Sequence, residues 1–159
     1  MTAKTYALFH GSPNANIENF DISMAGKNTL SGEKFLFFTD SKDMADDFSY
    51  ERLESSKSMF LNERGAKGRV YEVDVTMEKP LDFTNLSNTD IDNIIKMSDG
   101  ELSVDMLKKM SKGNNQLIKK FIDLDSITKY GYDGFIAKMN SSGAKEYAVV
   151  NNKQVKIKR

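Results

Sequence analysis

The chain has 159 residues, 23 basic and 23 acidic side chains, one histidine and no cysteine. That is the length of one domain, and zero net charge argues against a dedicated nucleic-acid or membrane-surface protein. Disulfides, thiolate chemistry, cysteine-bound zinc and any two-histidine metal site are excluded, so no metal is expected. No apolar run approaches the ~20 residues of a membrane span. The N-terminal stretch lacks the form of a signal peptide, so a cytoplasmic location is expected.

Residues 6–9 are short, apolar and partly aromatic, and Gly11-Ser12-Pro13 stops them, which predicts a strand. Residues 13–33 are polar and predict a loop, pinned by Ile17, Phe20 and Ile22. The dense aromatic run 35–39 is too short for a helix and predicts a buried strand. Thr39-Asp40-Ser41 then offers a helix N-cap, Asp43 suits the first turn, and Met44, Ala45 and Phe48 fall on one helical face. Residues 51–68 are ambiguous.

Residues 70–75 alternate apolar and polar side chains and predict a half-buried strand ended by Lys79-Pro80. A helical segment spans about 87–129. Its apolar stripes are Ile91, Ile94 and Ile95, then Leu102, Met106 and Met110, then Leu117, Ile118, Phe121 and Ile122, separated at Gly100 and Gly113. A turn at 131–134, strands at 135–138 and 145–150 around a turn at 140–143, and a last strand at 154–158 complete the chain. The fold class is α+β, in one domain over 1–159, with antiparallel pairing expected at the hairpin.

Three places stand out chemically. His10-Gly11-Ser12 ends a strand, where side chains meet a cleft and a glycine lets backbone approach a ligand. A packed histidine followed by a turn is the plainer alternative. Phe37 and Phe38, with Phe48 beyond, offer ring faces for a flat cation. Most of these rings must nevertheless be core, because alternate strand residues face opposite ways. Glu146 opens a strand after a small-residue turn and suits either a cleft edge or an ordinary exposed position.

Together these stretches resemble the ADP-ribosyltransferase superfamily in its His-Tyr-Glu class, which contains diphtheria toxin and the poly-ADP-ribose polymerases. Within it they are similar to the small domains of phage and bacterial polyvalent or effector proteins. The resemblance rests on residues 8–13, 35–40 with Ala45 and Phe48, 70–75, 131–136, 145–150 and 154–157, which follow the family order over nearly the whole chain. It implies two small antiparallel sheets in a split sandwich, an NAD cleft between them, and an additional helical segment. It further implies that His10 bonds the adenosine ribose of NAD, Gly11 the carboxamide through its backbone, and that Ser12 supports that region. Phe37 would stack on nicotinamide in place of the class tyrosine, keeping the ring and losing the hydroxyl. Phe48 would lie near the opposite face of nicotinamide, and Glu146 would be the catalytic carboxylate.

The chemistry agrees with a chain so poor in histidine and cysteine. Nicotinamide is a cationic leaving group and needs no general acid; the oxocarbenium-like ribose needs one carboxylate bonded to its 2′-OH. The expected function is therefore mono-ADP-ribosyl transfer from NAD to a protein target, in a phage or bacterial effector or anti-defence role, without metal and without membrane attachment. One alternative is a binding module of the same fold that has lost turnover. Another is a nucleic-acid transferase using Lys108, Lys109, Lys112, Lys119 and Lys120, which zero net charge disfavours.

Overall fold

The computed structural model describes residues 3–24, 35–50, 66–139 and 143–158. Seven strands, four α-helices and short 3-10 turns make an α+β fold. The strands are β1 (Lys4–Ser12), β2 (Leu36–Thr39), β3 (Arg69–Met77), β4 (Pro80–Asp82), β5 (Gly134–Lys138), β6 (Lys145–Val149) and β7 (Val155–Ile157). The helices are α1 (Lys42–Phe48), α2 (Asn88–Met97), α3 (Val104–Lys112) and α4 (Leu124–Lys129), and a 3-10 helix covers Asn115–Phe121.

The strands form one mixed sheet in the order β4-β5-β6-β2-β1-β3-β7, where two separate sheets were expected. The join between its two parts is thin. β1 and β3 pair along nine positions, from Lys4↔Met77 to Ser12↔Arg69, and β2 pairs with β6 along four. Across β1 and β2 the register holds one pair, Phe9↔Thr39. Beyond it β1 and β2 share no further register pair among the described residues, and β1 ends in His10-Gly11-Ser12. The parallel pair β4·β5 was not anticipated, because a three-residue strand has too little periodicity to read and its partner lies some fifty residues away.

Alternation sorts the side chains into two cores. Leu8, Phe38, Tyr71, Val73, Val75, Ile136, Tyr147 and Val149 cluster on one face, with Phe20 from the loop over them. Phe35, Phe135, Ala137 and Ala148 point the other way, toward Ile91, Ile94, Leu107, Ile118 and Ile127 of the helical segment. The loop anchors behave as expected: Phe20 is buried, and the Tyr71 hydroxyl accepts from Ile17 N (2.9 Å) and donates to Asn14 O (2.6 Å).

Caps fix the helix starts. Ser41 accepts from Met44 N, and Ser87 with Asp90 forms a reciprocal capping box. The second predicted stripe needs correction. Leu102 is buried but precedes α3, Met106 is exposed, and Leu107 takes the core position. Helix α4, with its Asp123/Ser126 capping box, closes the segment beyond the third stripe. The hairpin of β5 and β6 has the expected antiparallel register; residues 140–142 of its turn, like 51–65 of the ambiguous stretch, lie outside the described residues.

Candidate active site

The site builds around the neighbouring ends of β1 and β2. At the end of β1 the imidazole of His10 fills the place of a ladder bond: Nδ1 lies 2.7 Å from Phe37 O. A carbonyl only accepts, so Nδ1 carries the proton and donates, and in the neutral ring Nε2 is left as an acceptor. The ring sits edge-on to Phe20 (4.7 Å between centroids) and tilted against Phe38 (5.4 Å). Burial among these rings pushes the His10 pKa below its ordinary value, against the smaller opposing pull of the Phe37 carbonyl.

Gly11 lies under α1. A Cβ there would overlap the Ala45 carbonyl oxygen and come within 3.0 Å of Ser49 N. Glycine thus lets the helix following β2 press directly on β1, which Ala45, with no exposed surface, also requires. Ser12 is buried, and its Oγ accepts from Asn14 N (3.1 Å), turning the chain out of the strand.

On β2 and β6 the register places Thr39 opposite Glu146 and Phe37 opposite Ala148. Phe37, Thr39 and Glu146 therefore share the face turned toward the helical segment. Glu146 keeps 12% of its side chain exposed. Its Oε1 is fully buried and has no hydrogen-bond partner among the described residues. Compensation comes as charge: Lys119 Nζ, on the 3-10 helix, stands 2.8 Å from that oxygen. The same ammonium lies 5.1 Å from the centroid of the Phe37 ring. An aromatic face and a carboxylate thus converge on one cationic point.

The 3-10 helix is held there by two amides that clasp one residue of β5. Lys138 N donates to Asn115 Oδ1 (2.7 Å), and Gln116 Nε2 donates to Lys138 O (3.1 Å). Beyond them, Phe83 N donates to Ile136 O (2.9 Å), so the free edge of β5 is satisfied first by the chain after β4 and then by side chains.

The structure joins the expected residues unevenly. Phe37 and Glu146 meet through Lys119, and His10 reaches the Phe37 backbone. By alternation, however, His10 faces the core of Phe20 and Phe38, opposite to the Glu146 face. Phe48 is 45% exposed on α1, and among the described residues no ring contact ties it to Phe37. Nothing local in the sequence distinguishes Lys119 from its neighbouring lysines, since its place depends on where the 3-10 helix docks. Phe20 was read as a loop anchor, and its edge contact with His10 follows from a tertiary fold-back.

The profile of the family described as ADP-ribosyltransferase in polyvalent proteins matches residues 4–158. No curated protein matches the chain significantly.

Proposed function

The chain belongs to the ADP-ribosyltransferase family of polyvalent proteins, and from that membership and the geometry around Phe37 and Glu146 we propose that it transfers single ADP-ribose units from NAD to a protein. The observation that carries this reading is the convergence of the Phe37 ring and the Glu146 carboxylate on one cation. NAD brings a flat cationic ring joined to a ribose that becomes cationic as the bond to it breaks. An aromatic face suits the first and a buried carboxylate the second.

In this reading the glycosidic bond between ribose C1′ and the nicotinamide nitrogen breaks, and its electron pair stays with nicotinamide, which leaves neutral. Glu146 accepts a hydrogen bond from the ribose 2′-OH and opposes the growing charge at C1′. The acceptor side chain then bonds to C1′ and gives up its proton to water. Phe37 stacks on the ring, neutral His10 offers Nε2 to a hydroxyl of the adenosine ribose, and the Gly11 backbone bonds the carboxamide. Ser12 holds the end of β1 in the bent path that its bond to Asn14 N supports. Phe48, half-exposed on α1, lies near the opposite face of nicotinamide.

We place the enzyme in the cytoplasm of a producing or infected cell, acting as an effector on a host or defence protein. Incubation with labelled NAD and a bacterial lysate tests this. A discrete labelled protein is the expected result. Label confined to nucleic acid, or none, would refute it.

A further inference from the structure

The helical segment sends one side chain onto the face that carries Glu146, and that side chain is a cation. Lys119 is 15% exposed, its ammonium 2.8 Å from Glu146 Oε1 and 5.1 Å from the Phe37 ring centroid. Under the function proposed above, on which this inference rests, those are the two groups that receive the cationic end of NAD. One ring face and one carboxylate oxygen cannot serve an ammonium and a nicotinamide riboside together. We propose that Lys119 is a built-in competitor for this end of the site: it occupies the cation position when NAD is absent and must leave for NAD to bind.

The local structure says how it leaves. Asn115 and Gln116 fix the 3-10 helix to the Lys138 peptide groups, so the backbone stays. The lysine stem is long and rotatable, and the ammonium already touches a second acceptor, Gln116 Oε1, at 3.2 Å. A swing of the side chain alone gives up Glu146 and returns the ammonium to water, where it is strongly hydrated. The arriving substrate then restores what the lysine supplied, a positive charge beside a buried carboxylate oxygen that has no hydrogen bond. The free protein is thus closed to NAD for the fraction of time the lysine is seated, and the apparent affinity falls by that fraction.

The rival role is positioning: Lys119 would stay and hold Glu146 for the reaction. Two measurements separate them. The first is calorimetric titration of NAD into the wild type and Lys119→Gln, a change that keeps a hydrogen-bond donor for Glu146 but removes the charge. Competition predicts about tenfold tighter binding by the variant. Equal or weaker binding, or a fall in kcat at unchanged KM, overturns the proposal. The second uses the wild type alone: acetylation of Lys119 by an N-hydroxysuccinimide ester, read by mass spectrometry. Labelling should be slow in the free protein and several-fold faster with NAD, with exposed Lys120 as the internal reference. Labelling that NAD leaves unchanged or slows overturns the proposal even where the variant fails to fold. If both proteins bind NAD equally, competition fails and the proposed function stands; if neither binds NAD, both fall.

Discussion

Replacing Gly11 by alanine tests how the end of β1 is built. The added methyl would overlap the Ala45 carbonyl oxygen, with the Ala45 carbonyl carbon at 2.6 Å and Ser49 N at 3.0 Å. Carbon contacts relax at ~3.5–4.0 Å, so the overlap with the carbonyl oxygen forces α1 to retreat by about 2 Å. The obstacles are backbone atoms, which cannot rotate away as a side chain would. Retreat also loosens Ala45, which has no exposed surface. Overpacking of this kind costs ~1–3 kcal/mol. Because backbone blocks the methyl, the upper part of that range applies, about 3 kcal/mol. For a chain of this length each kcal/mol lowers Tm by ~2–4 °C, so a fall of roughly 6–12 °C is expected. Gly100→Ala is the control: its φ of 79° strains an alanine, but no atom lies within 4 Å. It should cost about 1 kcal/mol, from backbone conformation alone. Urea and thermal unfolding of both variants check the difference. Equal stabilities for Gly11→Ala and the wild type would refute the close approach of α1 to β1.

Phe37→Ala should weaken NAD binding by roughly 1–3 kcal/mol in calorimetry, while Phe37→Tyr keeps the ring and binds at least as well as the wild type. Since burial lowers the His10 pKa, the unfolded chain binds the proton more readily than the folded one below the ordinary value of 6.5. Stability contributed by neutral His10 is therefore present above that value and is lost as pH falls from it toward the lower folded pKa. Thermal unfolding from pH 7 to 5 should show the loss and His10→Gln should lessen it; the imidazole titration by NMR is unambiguous because the chain has one histidine. Arginine is not the expected acceptor. Ala144, two residues before Glu146, offers no side-chain hydrogen-bond acceptor for a guanidinium, and Lys145 stands opposite Lys138 at the hairpin mouth, two cations that repel it. Agmatine should remain unmodified, and fragmentation mapping that finds ADP-ribose chiefly on arginines would contradict this.

Elements with local signals were legible. Ser41 caps α1 because its hydroxyl meets an amide three residues on, and the strand read at 70–75, observed at Arg69–Met77, alternates clearly enough to read from residue order alone. The β5·β6 hairpin follows from two apolar runs around a small-residue turn. What escaped depends on partners remote in sequence. β4 is three residues long and is a strand only because β5 pairs with it, and Leu107 displaces Met106 from the core because of how α3 docks. The same holds within the candidate site. His10, Phe37 and Glu146 could be singled out by residue type and order, but the part of Lys119 is set by Asn115 and Gln116 gripping Lys138, a contact no window of sequence contains. Phe48 shows the converse: its helical spacing from Ala45 is right, yet α1 turns it toward solvent.

Glu146→Gln tests whether Glu146 opposes the charge that develops on ribose. The amide keeps the shape of the side chain and removes its charge. With labelled NAD and the modified target as acceptor, the account predicts that transfer falls by ~100-fold or more while NAD affinity stays within a few-fold of the wild type. Transfer by Glu146→Gln at the wild-type rate would contradict it.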